Sequence, residues 1–577
     1  MLKGLKIALQ ADTGKWFSRC NNCQQTVNNI SDTITVHIDS PVSDHPYAHF
    51  EVVDVGGGKI ALKADTGKYV ARCNGCIVNG TCPDFVTVHV DDPSLPHAQF
   101  MPELLGNGKY ALKADTGKYV SRCNGCSPTS AHPDTVTIHV DDPNNAPWAQ
   151  WTVSYIPFSY LERYDSIAAD NVAERVKLVG QGMATDTRNF FKEVRANRPI
   201  FITPKFVLVT LFPDVQEVFS RPEVFSVRLN APKMDPNHGP VMLSRDNTEF
   251  NWREKSIMKT MLEWEDFPKI TKAAGEVAKA ALDKSAATGK IETVNDLAKL
   301  VLVRMCGDYY GFPGPNLETM YRWSIATQSG MLRNLANDPQ IDAACVQAGK
   351  EMRDYLTQLL QQKKADNSQS SAPKDIFTRL VKINFTDNNI PFDDSRILTN
   401  MALLLVSTLE TTAQAIVQSL EQILRRPDIL PKAVQAAQAN DDQTLAKYVW
   451  EALRFNPVSP SLPRFCESDY TVAAGTPRAT RIPAKSLVLV SLGSAMFDGA
   501  IIKNPDDFSI ERPKHNYMHF GYGDHTCLGE HIAGVVVPEV IKQVLLRPGV
   551  RVIPGDEGKL ESQPNAILKR FVIAYDK

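Results

Sequence analysis

The stretch His519 to Ala533, HFGYGDHTCLGEHIA, decides how this chain is read. It sets one cysteine, Cys527, among glycines, an aromatic residue and a histidine. A cysteine thiolate can bind heme iron axially and favour O–O cleavage when backbone N–H groups face the sulfur and water is kept away. Gly521 and Gly523 let the chain turn tightly beneath a porphyrin, and Gly529 lets the following helix approach without a Cβ in the way. Phe520 is expected to shield the sulfur. The helix N-terminus beginning near Leu528 adds positive potential that favours the thiolate, and His525 is placed to reach a heme propionate. The stretch therefore predicts heme b with Cys527 as the axial iron ligand.

FGYGDHTCLGEHIA resembles the heme-binding signature of the cytochrome P-450 family, with Phe, Gly, Gly, His, Cys, Gly and Ala all in register. The resemblance implies a mainly α fold with small β-sheets and the chemistry of a heme-thiolate monooxygenase. Other segments agree in order. Glu451 and Arg454 form an ExxR on the helix KYVWEALRF, which Asn456 and Pro457 end; an i, i+3 pair shares one side of a helix. In the resembled family this pair locks the segment beneath the heme, so its implied role is structural. Arg464, in PSLPRFCESD, stands where the family often places a propionate-binding arginine, and MFDGAIIKNPDDFSIERP is similar to the stretch that follows it.

NMALLLVSTLETTAQAIVQSLEQILRR is apolar on one face for more than four turns, and Ser, Thr and Glu interrupt it too often for a bilayer span. Its VSTLETT, Val406 to Thr412, resembles the family's distal pattern. Glu410 and Thr411 match the acid and alcohol that relay protons in that family, which is general-acid work. Ser407 and Thr408 replace the usual small pair. Thr408 is expected to narrow the oxygen pocket or to supply it with another hydroxyl. Upstream, around SRDNTEFNWREKSIMK, Asp246 and Trp252 resemble the helix that reaches the second propionate. Trp252 and Arg253 are the expected contacts, with Lys255 or Lys259 as substitutes, since Ser256 stands four residues after Trp252.

The first 155 residues repeat themselves. ALQADTGKWFSRCNNC begins at Ala8, ALKADTGKYVARCNGC at Ala61 and ALKADTGKYVSRCNGC at Ala111. A period of about fifty residues with four short apolar runs each gives twelve strands in three units, the pattern of a β-trefoil. ADTGK is expected to be a hairpin turn, with Gly14, Gly67 or Gly117 at positive φ and the Asp capping its own backbone. Leu9, Leu62 and Leu112 should meet Phe50, Phe100 and Trp151 in a common core. The repeats resemble fascin-like trefoil modules, which implies a glycan or a protein filament as ligand. Three CxxC pairs, Cys20/Cys23, Cys73/Cys76 and Cys123/Cys126, are followed by His37, His89 and His139. Zinc, with Asp39, Asp91 or Asp141 as a fourth ligand, a disulfide, and packed reduced thiols all remain open.

A multidomain chain follows: an all-β trefoil over 1–155 and a mainly α heme domain over 156–577, joined near TVSYIPFSYLERYD, with the polar Lys363 to Asp375 expected as a mobile loop. With 63 basic and 65 acidic residues, the net charge of −2 favours neither nucleic acid nor anionic membrane. No charged-then-apolar leader and no membrane anchor is read, and eleven cysteines, one of them committed to heme, fit a cytoplasmic location. No flavodoxin, ferredoxin or dinucleotide fingerprint is present. Electrons are therefore expected from a separate ferredoxin or flavodoxin with its reductase, or a peroxide replaces them. The expected reaction inserts oxygen into an apolar small molecule held between Ile200 and Asn400. YMHFGYGDHTCLG and VLLRPGVRVIPG also resemble heme-thiolate domains that isomerise fatty-acid hydroperoxides or consume peroxide. A third reading is a trefoil binding protein with a heme sensor.

Overall fold

The computed structural model describes residues 5–27, 29–41, 45–156, 159–246, 248–334, 336–365, 374–383, 392–563 and 566–577. Most of the expected loop at Lys363 to Asp375 and part of the expected junction, 157–158, lie outside them. Two compact units divide the chain, Met1–Ser159 and Tyr160–Lys577.

The first unit is all-β. Its strands are β1 (Lys6–Gln10), β2 (Trp16–Asn21), β3 (Asp32–Ile38), β4 (Phe50–Gly56), β5 (Lys59–Lys63), β6 (Tyr69–Asn74), β7 (Asp84–Val90), β8 (Met101–Leu104), β9 (Tyr110–Lys113), β10 (Tyr119–Asn124), β11 (Asp134–Val140) and β12 (Thr152–Ile156). Six close a ring: β12 pairs β1, β1 pairs β4, β4 pairs β5, Ile60 bridges Phe100 at the start of β8, β8 pairs β9, and Tyr110 bridges Trp151 beside β12. The other six form hairpins β2/β3, β6/β7 and β10/β11. Their second strands meet pairwise, Thr33 opposite Thr87, Thr35 opposite Thr135 and Thr137 opposite Phe85.

Alternating apolar residues send one face of every strand inward. Leu9, Leu62, Leu112, Phe50, Phe100 and Trp151 share one core and are each 2 % exposed or less. Gly14, Gly67 and Gly117 turn their hairpins at φ of +80°, +84° and +82°, where a Cβ is strained. The neighbouring Asp has a role the sequence did not suggest. Arg19 forks onto Asp65, Arg72 onto Asp115 and Arg122 onto Asp12, with each Nε at 2.7 Å, so every repeat is tied to the next in a closed cycle.

Each CxxC pair is closed as a disulfide. The trailing histidines do not join the cysteines of their own repeat. Cys20 faces Thr33 across the hairpin, and His37 lies four residues further along the strand, about 13 Å away. Its Nδ1 instead meets the hydroxyls of Ser18 and Thr35, each at 2.9 Å. Asp39, Asp91 and Asp141 pair with Lys15, Lys68 and Lys118. The expected trios of one repeat's Cys, Cys and His are thus not assembled.

The second unit is mainly α-helical. Its central helix, Asp394–Leu424, begins at the Asp393 N-cap and runs about 46 Å. It is long and apolar enough to cross a membrane, but 78 % of its apolar window is buried. Leu317–Gln328, Pro339–Ala365, Asp442–Phe455 and Glu530–Leu545 pack around it. A five-stranded sheet orders Ile200–Ile202, Val207–Val209, Leu487–Val490, Leu462–Cys466 and Phe225–Ser226, and smaller sheets lie elsewhere in the unit. The central helix, the Leu462–Cys466 strand and the turn before Glu530–Leu545 bring the chemistry-bearing residues together.

Candidate heme site

These elements wall a cavity of about 340 Å³. Cys527 opens into it from the turn before Glu530–Leu545. Gly521 and Gly523 take φ of +77° and +71°, and a Cβ on Gly523 would sit 2.7 Å from the Phe219 carbonyl oxygen, so glycine is required there on two counts. The Cys527 N–H donates to the Phe520 carbonyl at 2.8 Å, which closes the loop. Burial pushes the Cys527 thiol up, while the backbone N–H groups of Gly529 and Glu530 face the sulfur and pull it back. Phe520 lines the cavity beside the cysteine, its ring edge-on to Trp450 at 5.5 Å.

The loop is held from behind by the ExxR pair. Glu451 and Arg454 are fully buried and joined at 2.8 and 3.0 Å. Arg454 also donates to the carbonyls of Met496, Pro505 and Asp507. Glu451 accepts from Arg512 Nε at 3.1 Å, the Ser509 N–H at 2.9 Å and the Tyr517 hydroxyl at 2.9 Å. This carboxylate ties the chain from Asn504 to Tyr517 into one piece just before the cysteine turn.

Arg464 is the informative side chain of the wall. It is 6 % exposed, and its only hydrogen bond among the described residues goes to the adjacent Pro463 carbonyl at 2.9 Å. Burial lowers its pKa to about 10. Asp246 is near enough to act on it electrostatically but makes no hydrogen bond to it, so its N–H groups are left for an anion such as a propionate. Lys255 faces the same cavity with its pKa lowered by burial. His525 lines the cavity too, with Nε2 2.9 Å from Asp246 Oδ1. A thiol facing an apolar cavity, with the buried Arg464 and the half-buried Lys255 beside it, fits a dianionic heme.

Two expectations change here. Trp252 is 59 % exposed, and neither it nor Arg253 belongs to the cavity wall; Asn251 and Lys255 do. A π-helical turn over Phe250–Glu254 shifts the face by one residue. Glu410 is also outside the wall. It is 1 % exposed, with Oε1 2.8 Å from Lys299 Nζ and 3.0 Å from Ser324 Oγ. Thr408 and Thr411 do line the cavity. The Thr411 hydroxyl donates to the Ser407 carbonyl, one turn back. Thr408 Oγ1 lies 3.1 Å from the buried Tyr310 hydroxyl, whose pKa burial raises. Lys255 is one of the expected substitutes; the sequence pattern does not single out Tyr310, Asn251 and Trp450, and they are in the wall because distant segments fold onto it.

The sequence pattern of the cytochrome P450 family matches residues 200–571. The chain belongs to that family. It is 24 % identical over 366 residues to the steroid C26-monooxygenase of Mycolicibacterium smegmatis, covering 62 % of this chain and 85 % of that one. It is 30 % identical over 158 residues to a bifunctional dioxygenase-epoxy alcohol synthase of Fusarium oxysporum, covering 26 % of this chain and 12 % of that one. The crystal structure of CalO2 superposes with a TM-score of 0.59 at 20 % identity, covering 68 % of this chain and 98 % of that one. The P450 chain is thus an oxidoreductase of the heme monooxygenase kind.

Proposed function

We propose that this P450 inserts one oxygen atom from dioxygen into an apolar small molecule, using electrons from a separate ferredoxin or flavodoxin and its reductase. The observation that carries the reading is the convergence of Cys527 and the buried Arg464, which has no carboxylate hydrogen-bonded to it among the described residues, on one largely apolar cavity. Heme b, when bound, supplies the redox-active iron. The chain does the rest. Cys527 would hold the iron, Arg464 and Lys255 would neutralise the propionates, and His525 is held in place by Asp246. Phe520 and Trp450 line the same cavity as the sulfur and offer it an apolar wall. Thr411 Oγ1 holds a proton at the cavity face, and Thr408 Oγ1 with Tyr310 Oη forms a second hydroxyl pair. Leu403, Leu404 and Met258 offer an apolar substrate surface, consistent with a steroid-oxidising relative.

A second reading, turnover of a peroxide or fatty-acid hydroperoxide, is favoured by Thr408 in place of a small residue and by the fungal relative whose name includes epoxy alcohol synthase. Turnover of steroid and fatty-acid probes with NADPH, ferredoxin reductase, ferredoxin and dioxygen is expected to exceed turnover with hydrogen peroxide or a lipid hydroperoxide. Product formed only with the peroxides would overturn the first reading. Thr411→Ala should raise the hydrogen peroxide released per product severalfold.

The N-terminal unit is read as a fascin-like β-trefoil that binds a glycan or a protein filament. The six-strand ring and the three hairpins support this, as do the sequence repeats. A cytoplasmic location belongs to the same proposal.

A further inference from the structure

The three hairpins of the N-terminal unit differ most in the loop that joins their two strands. Counted back from the Asp that opens the second strand (Asp32, Asp84 or Asp134), the residue two positions earlier is Ile30, Cys82 or His132. Each loop leans on the CxxC turn of the next repeat: the Val27 N–H donates to the Cys76 carbonyl at 2.8 Å, Thr81 to Cys126 at 2.9 Å and Ala131 to Cys23 at 2.8 Å. The loop of one repeat is thereby set over the cysteines of another.

At two of the three seams this brings a third soft donor to the pair. His132 joins Cys20 and Cys23, and Cys82 joins Cys123 and Cys126, with the ligand atoms of each group all within 4.8 Å of one another. Cys82 Sγ is 3.9 Å from Cys126 Sγ. The His132 ring stacks on His37 at 4.0 Å, which fixes its plane. Ile77 and Phe85 pack around the all-cysteine group and keep one side dry. At the third seam the loop is two residues longer between its hydrogen bond to Cys76 and the strand, and the residue two before Asp32 is Ile30, which has no donor atom.

We propose that, with the CxxC pairs reduced, the N-terminal unit binds two zinc ions, one at Cys20, Cys23 and His132 and one at Cys82, Cys123 and Cys126, each shared between two repeats. Thiolate sulfur and imidazole nitrogen are the donors zinc prefers, and three protein ligands leave one tetrahedral position for water or an outside donor. Reduction precedes binding. A dithiol delivers two electrons and two protons to each disulfide and leaves as its own disulfide. Zinc then displaces two thiol protons at the first site and three at the second, and His132 binds neutral. The site is a redox-gated clamp: oxidised, a CxxC pair closes on itself; reduced and loaded, it bridges neighbouring repeats.

The test is zinc titration of the full-length holoenzyme in a phosphine reductant, read by a competing chromophoric chelator and by native mass spectrometry. Two equivalents per chain are expected. His132→Ala and Cys82→Ser should each leave one, and the double variant none. Ile30→His should create the missing donor and raise the count to three, a gain that misfolding cannot imitate. Cobalt(II) in place of zinc should give thiolate charge-transfer absorption that Cys82→Ser weakens. Three equivalents on the unaltered chain, none at all, or a count of two that survives both His132→Ala and Cys82→Ser would overturn the proposal.

Discussion

Arg464 joins the two halves of the heme-site argument, because a buried cation with no carboxylate hydrogen-bonded to it and only Asp246 as a nearby counter-charge gains from an anionic ligand. Arg464→Leu should weaken hemin binding by the apoprotein by roughly tenfold to a hundredfold, since a buried charge pair contributes on the order of 2 kcal/mol; hemin titration followed at the Soret band checks it. Glu451 is the structural counterpart. Glu451→Ala leaves Arg454 and Arg512 without their carboxylate in a fully buried setting. Stability should fall by roughly 3 to 5 kcal/mol in denaturant unfolding. Cys527, Glu451, Arg454 and Arg464 were legible in the sequence because each sits in a short run whose residue types carry the chemistry. Trp252 and Arg253 stay off the cavity wall for a local physical reason: the π turn at Phe250–Glu254 adds a residue to the helical repeat, and Asn251 and the expected substitute Lys255 reach the wall.

At the scale of one element, the central helix explains why Glu410 and Thr411 part company. Consecutive helical residues point about 100° apart, whereas residues four apart share a face. Ser407, Thr411 and Ala415 therefore look into the cavity, and Glu410 turns to Lys299. The motif located the helix correctly, but only the packing of Lys299 and Ser324 against it decides which way the acid looks. The helix Ala231–His238 carries a different device. His238 is 1 % exposed, neither ring nitrogen has a hydrogen-bond partner among the described residues, and burial lowers its pKa to about 4. The unfolded histidine, near 6.5, takes up a proton that the folded one refuses. Its contribution is thus complete above pH 6.5 and is lost as pH falls toward 4, by about 3 kcal/mol in all. His238→Leu should remove that part of the pH dependence of unfolding.

For the molecule as a whole, the two units have separate cores. Deleting residues 1–159 should leave the heme content and the ferrous carbonyl spectrum of the remaining chain unchanged; absorbance per heme and pyridine hemochrome assay check it. The threefold repetition was plain in the sequence, as were the glycine turns and the apolar core of the first unit. What joins the repeats was not. The Arg19, Arg72 and Arg122 cycle onto Asp65, Asp115 and Asp12 links residues 43 to 110 positions apart, and no local pattern encodes such a pairing. The His132 and Cys82 seams escape for the same reason. The central claim is that the Cys527 sulfur binds heme iron, and the ferrous carbonyl spectrum tests it most directly. The unaltered chain should show the strongly red-shifted Soret band of thiolate ligation, and Cys527→His should move it to the position of imidazole-ligated heme. A red-shifted band that persists in Cys527→His, or its absence from the heme-loaded unaltered chain, would contradict the account.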